Sequence, residues 1–131
     1  NGGVLRLSEL RGRYGLLDFW GSWCGPCRAS IPSLVALYGR LKGKNFEMIG
    51  IAVDEHDDER WREVIAEEKM AWRHLNDCLS APGEEFRLRY AVMGVPACFL
   101  IDPEGRIVLK GHPMEILSEV ERIVLADAQG E

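Results

Sequence analysis

The sequence predicts an α/β protein: a central sheet flanked by helices. Two observations carry that reading. Short apolar runs rich in strand formers stand at Tyr14–Trp20 (YGLLDFW), 46–53 (FEMIGIAV) and Ala97–Ile101 (ACFLI). Between and after them lie segments whose apolar residues recur at spacings of three and four, the period of a helix with one buried face. Strands alternating with helices imply a mostly parallel sheet covered on both faces, with an antiparallel hairpin added near the end of the chain. At 131 residues the chain is read as a single domain, 1–131, with a core of its own.

The first strand ends in Gly21-Ser22, and from Cys24 to about Leu41 the pattern turns helical through Ile31, Leu34, Val35, Leu37, Tyr38 and Leu41. Pro32 lies inside this helix and is expected to bend it, because it lacks a donor and clashes one turn back. Gly43-Lys44-Asn45 ends it, and the second strand follows. Asp57 or Asp58 should cap a helix running to about Lys69, with Trp61, Val64 and Ile65 facing inward. Residues 73–77 suit a short strand and 84–90 a short helix. After the third apolar run, Asp102-Pro103-Glu104-Gly105 has the composition of a tight turn, and 106–110 pair back as the second arm of a hairpin. Gly111-His112-Pro113 leads into a last helix with Ile116, Leu117, Val120, Ile123 and Val124 as its apolar stripe. Residues 1–13 are read as an arm or an edge strand.

Composition narrows the function. Apolar residues make up 47% and charged residues 28%, which suits a soluble globular chain rather than a disordered one. No apolar run approaches the roughly 20 residues needed to span a bilayer. The net charge of −5 and the scattering of basic residues among acids, as in Glu59-Arg60-Trp61-Arg62-Glu63, argue against nucleic acid as a partner. The chain begins at Asn1 with neither a basic nor an apolar leader, as expected of a mature exported chain or of a domain cut from a longer protein.

Four cysteines are too few for a disulfide scaffold, and their spacing is one tight pair and two singles, Cys78 and Cys98. The pair lies in Trp23-Cys24-Gly25-Pro26-Cys27, at a strand-to-helix junction. A helix opening there would aim unpaired N–H groups and the positive end of its dipole at Cys24, stabilising a thiolate. Gly25 permits a tight backbone, and Pro26 fits the first helical turn without losing a needed hydrogen bond. Cys24 is then the exposed nucleophile, and the more buried Cys27 resolves the mixed disulfide. Zinc needs further ligands at comparable spacing, and neither Cys78, Cys98 nor the histidines at 56, 74 and 112 supply a second pair, so no metal is expected.

Asp18 sits between Leu17 and Phe19 in an apolar strand. A buried carboxylate is costly without a partner or a task. Six residues before Cys24, it could lie below the cysteine pair with a raised pKa, ready to accept the proton of the Cys27 thiol. Cys98 reads as a small core hydrophobe or, more sharply, as a third redox thiol. Cys78 reads as the more exposed of the two. Trp61 and Trp72 read as core or lip residues, and the acidic run 54–59 as a solvated loop and helix cap. Pro96, just before the third apolar run, is either a strand opener or a cis peptide.

DFWGSWCGPC, Pro32 five residues after the second cysteine, GVP before the next strand and Gly111 after the hairpin together resemble the thioredoxin superfamily over about residues 14–127. The resemblance implies a thioredoxin fold, a central mixed sheet flanked by helices, in which Cys24 attacks and Cys27 resolves. It implies a cis Pro96 packed against the pair and a Val95 backbone that binds a substrate chain in strand fashion. The family's buried acid maps onto Asp18, and its active-site tryptophans map onto Trp20 and Trp23. Substrate would then contact Trp23, Gly25, Pro26, Val95 and Pro96. Two features resemble the TlpA-like branch of exported thiol–disulfide oxidoreductases. The 54–93 stretch has room for an inserted helix–strand–helix, and LSELRG and YAVMGVPACFLIDPEGRIV match that branch's manner. Members often carry an acid where this chain has Ser30 and often lack the aspartate present here as Asp18.

What this implies is a protein-disulfide reductase working through its own Cys24–Cys27 dithiol without a bound cofactor. It would act as a monomer on protein disulfides, recharged by an upstream thiol donor, in the periplasm or cell envelope of a bacterium, with the cytoplasm as the alternative. Gly25-Pro26 between the cysteines suggests a potential nearer about −270 mV than about −120 mV. A thiol peroxidase, on a related fold, would need a lone low-pKa cysteine held by Thr and Arg, and the chain contains no threonine. A non-enzymatic redox-sensing or interaction module is the third reading.

Overall fold

In the computed structural model, residues 10–54, 59–77, 92 and 94–129 are described. Eight elements run along them. They are β1 (Tyr14–Trp20), α1 (Gly25–Leu41), β2 (Phe46–Ala52), α2 (Arg60–Glu67), β3 (Arg73–Asn76), β4 (Ala97–Ile101), β5 (Ile107–Gly111) and α3 (Pro113–Gln129). The strands form one sheet in the order β3-β2-β1-β4-β5.

The three apolar runs occupy the middle of that sheet because they must be covered on both sides. All seven residues of β1 are buried, and β2 lies parallel to it from Tyr14 opposite Phe46 to Trp20 opposite Ala52. The side chains of β1 alternate between two cores. Leu16 and Trp20 join α1, Ile116, Val120 and Val124 of α3, and Trp61 and Val64 of α2 in the larger core. Leu17 and Phe19 join Ile49, Ile51, Leu75 and Phe99 in the smaller one, where Leu10 and the half-buried Val92 also pack.

The sheet is mixed, as the thioredoxin resemblance implies, and more evenly so than the mostly parallel arrangement expected from the element order. Both β3 and β1 run parallel to β2, but β4 runs antiparallel to β1 as well as to β5. Alternation of strand and helix carries no information on the direction in which a strand re-enters, and β4 enters from the opposite end. The hairpin turn is as expected, with the Gly105 N–H donating to the Asp102 carbonyl at 2.9 Å.

Boundaries differ at α2. It spans Arg60–Glu67, with Glu59 at the N-cap position and no side-chain cap, instead of running from Asp57 or Asp58 to Lys69. Lys69 has φ 58°, outside any helix, which stops the run early. Asp57, Asp58, Cys78, His56 and the helix expected over 84–90 lie outside the described residues, as does most of the 1–13 arm. No described helix is long and apolar enough to cross a membrane.

Candidate active site

β1 delivers the chain to one pole of the sheet, and the turn Gly21–Cys24 carries it into α1. Cys24 occupies the N-cap of α1 in an extended conformation (φ −94°, ψ 112°), and Gly25 and Pro26 form the first helical residues. The Cys27 N–H donates to the Cys24 sulfur at 3.2 Å, so a sulfur takes the place usually held by a capping hydroxyl or carboxylate. The two cysteines are joined as a disulfide with 5.2 Å between their Cα atoms.

Cys24 is not the exposed nucleophile expected. Its residue exposure is 6%, against 1% for Cys27, so the predicted ranking holds but both belong to the larger core. What covers Cys24 includes the Val95 carbonyl, whose oxygen lies 3.8 Å from its sulfur. The Val95–Pro96 peptide is cis, and both residues are half-buried beside the disulfide.

The two tryptophans mapped to the site separate. Trp20 is buried in the core, whereas Trp23 is 64% exposed. Its indole lies over Gly21, where an added Cβ would come within 2.6 Å of the ring. Ser30 is buried and donates to the Cys27 carbonyl at 2.8 Å, which is an intrahelical role and not an acidic one.

Asp18 is buried on the face of β1 that holds Leu16 and Trp20, the same core that contains Cys27. Burial pushes its pKa up from 3.8 to about 7. The hydrogen bond it accepts comes from the Cys98 thiol, with Sγ 3.3 Å from Oδ1. The sequence suggests Cys27 as the group Asp18 serves and leaves Cys98 either a small core hydrophobe or a third redox thiol. The cross-strand register puts Asp18 directly opposite Cys98, and that register cannot be read before the direction of β4 is known. Burial first, and then the neighbouring carboxylate, push the Cys98 thiol well above its ordinary value.

A further pair escaped sequence reasoning. Asp54 is fully buried, contrary to the solvated loop expected for 54–59. It accepts the Ser22 N–H at 2.9 Å, and the Ser22 hydroxyl donates to its other oxygen. The turn before Trp23-Cys24 is thereby tied to the end of β2. The acidic run hid this, because the first of several acids looks no different from the rest until β1 and β2 are aligned.

Among the described residues no cluster of three or more His, Cys, Asp or Glu side chains could hold a metal ion. The described residues bring together a cysteine pair at a helix N-cap, a backbone carbonyl beside it and a buried acid on the core-facing side of β1.

Relatives agree with that content. The AhpC/TSA family profile matches residues 1–110. The thiol–disulfide oxidoreductase ResA of Bacillus thuringiensis is 30% identical over 113 residues, covering 85% of this chain and 62% of that protein. Human nucleoredoxin is 29% identical over 121 residues, covering 91% of this chain and 27% of that protein. The chain thus spans less than two thirds of either relative. A crystal structure of the thioredoxin domain of a thiol–disulfide oxidoreductase from Bacteroides vulgatus superposes with a TM-score of 0.79 at 31% identity, covering 90% of this chain and 84% of that one. The chain therefore belongs to the AhpC/TSA family, within the thioredoxin superfamily, with Cys24 and Cys27 joined as a disulfide at the start of α1.

Proposed function

We propose that this chain reduces disulfide bonds in other proteins. The observation that carries the reading is the Cys24 sulfur at the N-cap of α1, accepting the Cys27 N–H. In the reduced state that N–H and the helix dipole would favour a Cys24 thiolate over an ordinary thiol.

The Cys24 thiolate attacks one sulfur of the substrate disulfide. A mixed disulfide forms and the other substrate sulfur leaves as a thiolate. Cys27 then gives its proton to Asp18 and attacks the Cys24 sulfur, closing the Cys24–Cys27 disulfide and releasing the second substrate thiolate. Two electrons pass from the dithiol to the substrate, and the two protons end on its thiols. Val95 presents its backbone to the substrate chain, with Pro96, Trp23, Gly25 and Pro26 forming the contact surface. An upstream thiol donor restores the dithiol. No bound cofactor is needed, since the cysteine pair carries both electrons. The unit acts as a single-domain monomer, with the added segment 54–93 as its departure from a minimal thioredoxin. By its resemblance to the TlpA-like branch, we place it in a bacterial cell envelope.

Insulin reduction with dithiothreitol tests this. The wild-type chain should accelerate precipitation, Cys24→Ser should abolish the effect, and alkylation at mildly acidic pH should modify Cys24 faster than a free cysteine. Titration against glutathione should give a couple near about −270 mV. A couple near about −120 mV, or turnover of peroxide in place of insulin, would overturn the assignment.

A further inference from the structure

We propose that Cys98 is a positioning residue for Asp18: its thiol fixes the carboxylate by a hydrogen bond from the facing strand. This rests on the assignment of Asp18 as the proton acceptor for Cys27. The sheet register aligns one row across all five strands, Gly111, Cys98, Asp18, Gly50 and His74. Residues paired in this way project to the same face. Gly50, on the β2 side of Asp18, contributes no side chain. Its place is taken by the His74 ring, which leans in so far that an added Cβ would lie 2.4 Å from Nδ1. On the β4 side stands the Cys98 thiol, 3.3 Å from Oδ1, with both side chains buried.

The ionisable groups around Asp18 come from several elements. Cys98 lies on β4, His74 on β3 across Gly50, and Cys27 on α1 in the same core. From α3 the core receives Ile116, Val120 and Val124, which carry no charge. His74 donates from Nε2 to the Met70 carbonyl at 3.0 Å. The side-chain hydrogen bond that Asp18 accepts comes from Cys98. A thiol can only donate to a carboxylate, and donation favours the ionised form. Burial and the adjacent carboxylate keep the Cys98 thiol protonated, so it remains a donor throughout the range in which Asp18 titrates. An apolar side chain at 98 would leave the carboxylate without that donor, and the base would ionise only at higher pH.

The test is the titration of the Asp18 carboxyl carbon by 13C NMR on the whole chain, with the rate of insulin reduction measured over the same pH range. Cys98→Val, with Cys98→Ala in reserve should Val fail to fold, is expected to raise the NMR midpoint by about half to one pH unit, the worth of one ordinary hydrogen bond. The rate midpoint should rise with it. Cys98→Ser, which keeps a donor, should return both to the wild-type value or below. An unmoved NMR midpoint in Cys98→Val and Cys98→Ala, or a serine variant that behaves as they do, overturns the role of Cys98. A pH–rate profile unchanged in Asp18→Asn overturns the base assignment instead, whatever the NMR midpoints do.

Discussion

Ser22 and Asp54, 32 residues apart in sequence, meet through two hydrogen bonds in the core, one from the serine backbone and one from its hydroxyl. Through them the end of β2 holds the turn that presents Trp23 and Cys24. Removing the acceptor strands two buried donors, and each hydrogen bond to a charged group is worth about 1.5–3 kcal/mol. Asp54→Ala should therefore cost about 3 kcal/mol or more in urea unfolding with the disulfide closed. Asp54→Asn, which keeps one acceptor, should cost less. Equal midpoints for both variants and the wild type would show that the clamp contributes nothing.

Asp18 should make the fold weaker as pH rises. Its folded pKa of about 7 lies above the ordinary 3.8, so the native state holds a proton that the unfolded state has released. The penalty is absent below pH 3.8, grows between there and about 7, and is complete above, where it amounts to about 4 kcal/mol. Asp18→Asn should thus stabilise the chain by about that much at pH 8 and by almost nothing at pH 4, while slowing disulfide reduction near neutrality. A gain that did not vary with pH would contradict the burial of an ionisable group there.

His74 works with the opposite sign. Burial lowers its pKa from 6.5 to about 4, against the opposing pull of the Met70 carbonyl. Above pH 6.5 the ring is neutral in both states and its contribution is intact. As pH falls from 6.5 to about 4 the unfolded chain takes up a proton that the native one refuses, and about 3 kcal/mol is lost. The difference in stability between the wild type and His74→Gln should shrink by that amount over the same interval. In Asp18→Asn the acid loss should appear undiluted, because the compensating gain from Asp18 is gone.

Gly50→Ala tests the packing of the row. The new methyl would meet His74 Nδ1 at 2.4 Å, His74 Cε1 at 2.8 Å and Trp72 Nε1 at 3.2 Å, with both rings buried. Overpacking of this kind costs about 1–3 kcal/mol. Thermal unfolding should register it, with displaced near-UV signals from Trp72. A variant as stable as the wild type would mean that the His74 ring has room to withdraw.

Most of the site's outline was legible in residue order. The apolar run of β1 and the three-and-four spacing of α1 located the strand-to-helix junction, and a CxxC at such a junction has few other uses. Asp18 was legible because a charge between Leu17 and Phe19 demands a reason. Its partner was not, because Cys98 looks like any other small core residue until β4 is known to run antiparallel to β1. Asp54 was hidden in the same way, among neighbours of the same charge. Exposure of Cys24 was overestimated because the Val95 carbonyl that covers it lies 71 residues away. Sequence shows periodicity and local caps well. It shows poorly which side chains a non-local strand pairing brings face to face.

The hydroxyl of Tyr14, at the start of β1, donates to Asp127 near the end of α3, and Gly12 is pinned to Pro103 in the β4–β5 turn at 2.9 Å. Both ends of the described chain therefore emerge at the pole of the sheet opposite Cys24. Anything grafted at residue 10 or 129 would set out from the back of the molecule, away from the sulfurs.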